Sequence, residues 1–435
     1  VHSLLVQFAD IHGTAKGKLV PLTHLEAVVN EGAGFAGPSI WGTGLPRTGP
    51  RAEYWARGDI STLQILPWMP GVARIVGDGY VAGEPFGACP RQVLRRALTR
   101  LQSQGLQMQA GIEPEFFLLR RQGEAWAPAD AQDTLDKPSY DLKALGRQSG
   151  FLHDLHHALA ACGLNVLQLD HEDANGQYEV NFAHDAALAS ADHLMLFKLA
   201  AHALAEKHGM VFSMMPKPFA DQPGSGLHWH VSLWSGQVNV FAAQGEPQRA
   251  EDAAAPLSTL GQHFLAGVLA HAPALCAIGA PTINSYKRLA AGGSRSGTHW
   301  APAVIAHGPN NRTTVARTLP GRLEWRLPDA SANPYLVAAS MVAAGLDGMA
   351  RALPLPAACT LDLQDATPQS LRESGCQTLP RNLDEALDAL ACDAVILDAL
   401  GSELSETFLA LKRAEAQDYA RQVSAWEWAR YATAF

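Results

Sequence analysis

The stretch MMPKPFADQPGSGLHWHVS, Met214–Ser232, governs the reading of the whole chain. Its end alternates as a strand does, so His228, His230 and Ser232 share one face while Leu227, Trp229 and Val231 share the other. Immediately before it, Gly224-Ser225-Gly226 forms a loop whose backbone can come close to a ligand, since glycine has no Cβ. Taken alone, the histidines also suit the solvated side of a half-buried strand. Carboxylates elsewhere in the chain decide between the two readings.

Working outward toward the N-terminus, GIEPEFFLLR from Gly111 reads as a strand with Glu113 and Glu115 on one side. In HEDANGQYEV from His171, Asn175-Gly176 is a favoured hairpin centre, and a two-residue turn there sets Glu172 opposite Glu179. Opposed like charges destabilise a sheet unless a cation joins them. Toward the C-terminus, PTINSYKRLAAGGSRSGTHWAP from Pro281 carries a Gly/Ser-rich loop that can close over a site. Beyond it, Arg312, Arg317, Arg322 and Arg326 are spaced for an anion-binding wall, with Glu324 and Arg326 on one strand face.

Five carboxylates and an imidazole, Glu113, Glu115, Glu172, Glu179, Glu324 and His228, suit Mg²⁺ or Mn²⁺, and the set is large enough for two or three ions. Zinc is disfavoured because no cysteine joins them. With the arginines, they point to metal-dependent phosphoryl transfer from a nucleotide, without a P-loop GxxxxGK[ST] motif.

The 435 residues are 47% hydrophobic and 17% charged, enough for a large core, and the length allows two or three domains or one large domain with a small one. With 42 acidic against 33 basic residues, the net charge of -9 argues against nucleic acid as the main partner. The scattered cysteines, the absence of a bilayer-length apolar run and a start without a targeting pattern predict a cytoplasmic protein without disulfides or a membrane partner.

Strand-like LLVQFAD from Leu4 and KGKLVPL from Lys16 predict a hairpin, followed by a helix over 22–29 capped by Thr23. The Gly/Pro-rich span from Glu31 to Pro50 has little capacity to order itself. Helices are expected after Pro90, over 150–162, 185–208 and 260–269, and over 331–351; His193 and His202 read as rim residues and 244–256 as a linker. The terminal Trp426, Trp428, Tyr431 and Phe435 read as packing.

The ordered series GxExEFF (Gly111–Phe117), HE…GQxE (His171–Glu179), MPKP (Met215–Pro218), GSGxHxHxS (Gly224–Ser232), NSYKR (Asn284–Arg288), NR…R (Asn311–Arg317) and RxExRxPD…ANPY (Arg322–Tyr335) resembles the glutamine synthetase family over nearly the whole chain. The resemblance implies an α+β fold: a small β-grasp-like domain over 1–87, then a catalytic domain over 88–435 with a curved antiparallel sheet and flanking helices. It implies that ATP phosphorylates the side-chain carboxylate of glutamate and that ammonia or an amine displaces the phosphate.

Carried over residue by residue, Glu115, Glu172 and Glu179 would hold one ion, and Glu113, His228 and Glu324 another. His230, Arg317 and Arg322 would contact nucleotide phosphates, with Ser232 near the adenosine. Gly224 and Arg288 would grip the α-carboxylate of glutamate, and Arg312 and Arg326 would clamp the phosphoryl or tetrahedral species. A ring-shaped homo-oligomer, usually two stacked hexamers with shared active sites, is also implied.

Two departures bear on the acceptor. Where ammonia users have Asp-Gly-Ser-Ser, this chain reads FAGPS from Phe35, with Ala36 in place of the acid; where they have a Glu-bearing loop after NSYKRL, it reads AAGGSRSGTHWAP from Ala290. Losing both carboxylates weakens an ammonium pocket and suits an alkylamine. The Ser-Gly and Trp-Ala-Pro pattern is similar to the branch that includes γ-glutamylmethylamide synthetases. Methylamine is therefore the expected acceptor, with Asp59 supplying charge near it. Ordinary glutamine synthesis comes second, then an inactive glutamate- or nucleotide-binding homologue, and a kinase acting directly on a guanidine or amine is a further rival. No counterpart of a nucleotidylated Tyr segment stands around Pro380–Ala389.

Overall fold

The structure is a computed structural model, and it describes residues 1–243, 257–290, 294–364, 369 and 376–435. The expected linker over 244–256 lies outside the described residues. The fold is α+β, built on two sheets.

The first sheet runs β1 (Ser3–Ala9), β2 (Ala15–Pro21), β3 (Ala33–Ala36), β4 (Glu53–Ile65), β5 (Val72–Val81) and β6 (Glu84–Pro85). Its order is β2-β1-β5-β4-β3, with β6 on β5, and β1 runs parallel to β5 while the other pairs are antiparallel. This mixed arrangement is β-grasp-like, with α1 (Leu25–Asn30) packed against β4. The β1–β2 hairpin forms as its alternation predicts.

Two local expectations fail here. A 3-10 turn over Leu22–His24 precedes α1, whose N-cap is His24 without a side-chain bond, so Thr23 is not the cap. Part of the glycine-rich span is ordered by β4: Phe35 pairs with Tyr54 and Ala36 with Glu53, and Lys18 sits over the Phe35 ring. A neighbouring strand supplies the hydrogen bonds and apolar contacts that this composition lacks.

The second sheet contains β7 (Gln107–Gln122), β8 (Ala125–Pro128), β9 (Val166–His171), β10 (Gln177–Phe182), β11 (Asp185–Ala186), β12 (Val211–Ser213), β13 (Leu227–Ser235) and β14 (Val238–Asn239). A two-residue strand, β15 (Val304–Ile305), lies off it, and β16 (His307–Pro309), β17 (Ala316–Leu319) and β18 (Arg322–Trp325) complete it. The order is β16-β17-β18-β13-β7-β10-β9, with β8, β11 and β12 on β7 and β14 on β13. The long β7 pairs with β13 through His228↔Glu113 and with β10 through Glu179↔Glu115, so residues more than sixty positions apart become cross-strand neighbours.

The helices are α2 (Pro90–Gln102), α3 (Leu142–Arg147), α4 (Ser149–Ala161), α5 (Ala187–Lys207), α6 (Thr259–Ala270), α7 (Ala272–Gly279), α8 (Ser285–Leu289) and α9 (Pro334–Ala350), followed by Leu383–Ala391, Ala394–Leu400, Ser402–Ala420 and Ala425–Tyr431. His193 and His202 stand outside the core on α5, and Cys89, Cys162, Cys276, Cys359 and Cys392 are free thiols. One apolar core joins both sheets. Arg91 on α2, 2% exposed, ties the first sheet to α5 electrostatically, meeting Asp59 at 2.9 Å, Asp78 at 2.8 Å and Asp192 at 2.8 Å.

The terminal aromatics depart from expectation. Trp426, Trp428, Tyr431 and Phe435 are 62%, 65%, 46% and 106% exposed rather than filling the core, with Tyr431 meeting the rings of Trp426 and Phe435. An aromatic cluster at a chain end records hydrophobicity, not what covers it. Among the described residues no single helix is long and apolar enough to cross a membrane.

Candidate active site

Alternation along β13 aims His228 and His230 at the carboxylates of β7 and β18. His228 Nδ1 lies 3.8 Å from Glu113 and 3.7 Å from Glu324, while His228 Nε2 lies 3.8 Å from Glu115. His230 Nε2 approaches Glu113 at 3.1 Å. The preceding loop needs glycine: a Cβ on Gly224 would stand 2.2 Å from the Pro216 carbonyl oxygen, and one on Gly226 would stand 2.8 Å from His228 Nε2. The Gly226 N–H then donates to Glu115 Oε2 at 2.8 Å, and Gln177 Nε2 donates to the same oxygen at 2.8 Å.

The β9–β10 hairpin carries the other acids in a register the sequence does not predict. The turn contains Asn175-Gly176, yet the ladder pairs Tyr178 with His171 and Glu179 with Asp170. A two-residue type I′ turn needs left-handed backbone at both central positions, and only Gly176 has it, with φ 75°. Tertiary contacts hold the turn instead, since Asp133 accepts from Asn175 Nδ2 at 3.0 Å and from the Gly176 N–H at 2.6 Å. The two-residue slip preserves facing, so Glu172 stays on the working side while Asp170 takes the place expected for it opposite Glu179.

Three groups of side chains place potential ligand atoms within 4.8 Å of one another: Glu113, His230 and Glu324; Glu113, Glu179 and His228; and Asp170, Glu172 and Glu179. Glu113 and Glu179 each serve two groups. Asp170 escaped the sequence reading although it lies two residues before Glu172, and His230, expected as a phosphate contact, stands here as a potential ligand. Glu115 is adjacent to these groups but spends one oxygen on Gln177 and Gly226.

The electrostatics fit divalent cations. Burial, then neighbouring Glu115 and Asp170, push the Glu172 carboxyl well above the usual carboxylate range, and burial, then Glu172 and Glu115, do the same to Glu179. Asp170 is raised to about 6 by burial, then by Glu115 and Glu113. No protein cation pairs with this group at salt-bridge distance among the described residues, and a divalent ion held by these acids would supply the compensating charge.

Glu324 is the reverse case. Burial pushes it up, but Arg326 and His228 outweigh burial and hold it at about 2. Arg326 donates to one of its oxygens, and Arg317 Nη1 to the other at 2.8 Å. Glu113 is likewise lowered, against burial, by hydrogen bonds with His228 and His230.

Arg288, 2% exposed, is held by the Leu327 carbonyl at 3.0 Å and lines a cavity with Glu115, Glu172, Gln177, Gly224, His299 and Trp300. A second cavity, across Glu113 and His230, is lined by Ser232, Trp234, Asn239 and Arg322. Arg312 stands exposed at the margin near Tyr140. Asp59 is not brought to this cluster within the chain: its Oδ2 accepts from Arg91 at 2.9 Å and Arg95 at 2.6 Å. His299 was also unforeseen. Its Nε2 is buried without a partner, and burial, then Lys217 and Arg288, lower its pKa to about 4.

The family profile described as "Glutamine synthetase, catalytic domain" matches residues 87–431. The chain belongs to the glutamine synthetase family. Within it, the chain is 47% identical over 427 residues to a glutamate–methylamine ligase of Methyloversatilis universalis, covering 98% of this chain and 95% of that one. It is 37% identical to a glutamine synthetase of Rhizobium leguminosarum bv. phaseoli, covering 97% and 94%. Among solved structures, a GmaS/ADP complex superposes with a TM-score of 0.91 at 37% identity, covering 99% of this chain and 97% of that one.

For this glutamine synthetase family member, raised carboxylate pKa values predict a pH-dependent metal effect. Native Asp170 titrates at about 6 against an ordinary 3.8, so its protonated form stabilises the fold. That contribution is complete below about pH 4 and is lost as pH rises through about 6. Glu172 and Glu179 shift in the same direction. Mg²⁺ therefore raises the melting temperature more at about pH 8 than at about pH 5, because protons compete for the ligands. Thermal melts with and without Mg²⁺ check this, and an equal rise at both pH values refutes it.

Proposed function

We propose that this protein is an ATP-dependent glutamate–amine ligase whose acceptor is methylamine, giving γ-glutamylmethylamide, ADP and phosphate. The observation that carries the reading is that two cavities flank one set of acids and imidazoles: His228, 3.8 Å from Glu113, lines the cavity that holds Arg288, Gly224 and Glu172, while Glu113 and His230 line the cavity that holds Ser232 and Arg322. An amino-acid site and a nucleotide site meet at one set of metal-binding acids.

Glu113, Glu115, Glu172, Glu179, His228 and Glu324 would hold Mg²⁺ or Mn²⁺, which neutralises phosphate charge and orients the γ-phosphoryl group. His230, Arg317 and Arg322 bind the nucleotide phosphates, and Ser232 lies near the adenosine. Gly224 and Arg288 hold the α-carboxylate of glutamate. Arg326 and Arg312 stabilise negative charge on the transferring phosphoryl group and on the tetrahedral adduct. Phosphorylation is needed because hydroxide is a poor leaving group; phosphate departs readily once the amine attacks.

Methylamine is favoured by the similarity to a glutamate–methylamine ligase and by a cavity wall of His299, Trp300 and Ala301 that carries no carboxylate. Asp59 is kept as a charged contributor only through a neighbouring subunit, since its own chain engages it with arginines. A homododecamer with shared sites is the assembly proposed, supported by exposed Ile60, Leu63 and Ile65 and the terminal aromatics. The domain boundary near 87 and a cytoplasmic location belong to the same proposal.

The test is turnover with ATP, glutamate, Mg²⁺ and separately methylamine, ethylamine and ammonia, with the amide identified by mass spectrometry. Methylamine is expected to give the highest kcat/KM. Ammonia outperforming it would make the protein a glutamine synthetase, and an N-phosphorylated product would replace ligation with direct phosphorylation.

A further inference from the structure

One wall of the amino-acid cavity is a loop. His299, Trp300 and Ala301 face Glu172, Gln177 and Arg288 across it, yet Arg295, Gly297 and Trp300 are exposed, so apolar burial does little to fix the loop. Polar ties do so, and they converge on one carboxylate. Asp173, 3% exposed, accepts from Ser296 Oγ at 2.8 Å and from Thr298 Oγ1 through Oδ2, and from Ser139 Oγ at 2.6 Å through Oδ1.

Other contacts reinforce the same junction. Arg295 donates to Asn175 Oδ1, pairs with Asp136 at 3.2 Å, and sends its N–H to the Asp221 carbonyl at 2.8 Å. At its far end the loop is held by Arg326, which donates to the Trp300 carbonyl at 3.3 Å. The loop thus spans from the Glu324–Arg326 pair to the residue next to Glu172. Its hydroxyls reach a carboxylate that belongs to none of the candidate ligand groups.

We propose that Asp173 is a positioning residue that holds the Ser296–Trp300 wall over the acyl centre and thereby sets amine selectivity. This rests on the ligase reading above. In that reaction the amine nitrogen forms the C–N bond, the C–O bond to phosphate breaks with its electron pair leaving on phosphate, and the nitrogen's proton goes to the departing phosphate. Water attacking the same carbon instead returns glutamate and phosphate and wastes ATP. A wall fixed at the right distance accommodates a methyl group and excludes water; a loose one does neither.

Two variants test it from opposite sides, Asp173→Ala and the double variant Ser296→Ala/Thr298→Val, the second leaving the Asp173–Ser139 tie intact. Wild-type enzyme is assayed first for amide formation. Each variant is expected to raise the KM for methylamine about tenfold while the KM values for ATP and glutamate change by less than about threefold, a methyl-sized loss of discrimination. ATP hydrolysed per amide formed rises, and the preference for methylamine over ammonia falls. Ser296→Thr with Thr298→Ser, which keeps both hydroxyls, restores wild-type values.

Unchanged methylamine KM and coupling in both variants overturn the role of Asp173. A parallel rise of all three KM values with a lowered melting temperature also overturns it, since that is the mark of general loosening. If wild type forms no amide, the ligase reading falls and this proposal with it. If wild type does and the variants behave normally, only the assignment of Asp173 falls.

Discussion

Glu113→Gln lowers kcat by about 10³-fold or more, because it removes a ligand from two candidate ion sites at once, and each tenfold loss corresponds to about 1.4 kcal/mol of transition-state stabilisation. The geometry gives the reason. Glu113 lies opposite His228 in the β7–β13 ladder and belongs both to the group with His230 and Glu324 and to the group with Glu179 and His228. The two imidazoles hold it ionised against burial, so it is present as the anion a hard cation requires. Glutamine keeps the shape and loses the charge. Steady-state ATP turnover with glutamate and methylamine at saturating Mg²⁺ checks the loss, with calorimetric titration of Mg²⁺–ADP as the second readout. A kcat within tenfold of wild type, in a variant with unaltered circular dichroism, removes Glu113 from the metal site.

Arg326→Gln has the next largest effect, a fall in kcat of about 10²- to 10³-fold, the usual cost of deleting one preorganised donor to a developing anion. The same change leaves Glu324, 1% exposed, with Arg317 as its remaining arginine. The carboxyl pKa then climbs from about 2, and the fold loses up to about 3 kcal/mol, the scale for breaking a buried ion pair. Mg²⁺ restores part of the stability and none of the rate, because a metal can compensate Glu324 but cannot take over the role proposed for the Arg326 guanidinium toward the phosphoryl group. Arg326→Lys recovers little, lacking the planar fork. Melting curves with and without Mg²⁺, alongside kcat, separate the two effects; recovery of rate with Mg²⁺ would show that Arg326 acts only through Glu324.

The facing of individual side chains was legible in the chain itself. Along β13 and β7 the pleat forces His228 with His230, and Glu113 with Glu115, onto common sides, and this depends on nothing beyond neighbouring residues. The hairpin over the fourth to twenty-first residues and most helices follow from the same local periodicity. Relations between segments did not. Whether Glu172 or Asp170 meets Glu179 was decided by Asp133, about forty residues away, which holds the Asn175-Gly176 turn out of its expected register.

The glycine-rich strand Ala33–Ala36 takes its order from β4. The wall at Ser296–Trp300 takes its place from Asp173, a residue with no distinguishing pattern in the sequence. The terminal aromatics announce an apolar surface without saying what covers it. Periodicity is a property of backbone chirality and so is written into any short run of residues. Register, loop placement and the pKa values of clustered acids arise from contacts between distant segments, whose energies exist only after the sheet has brought them together.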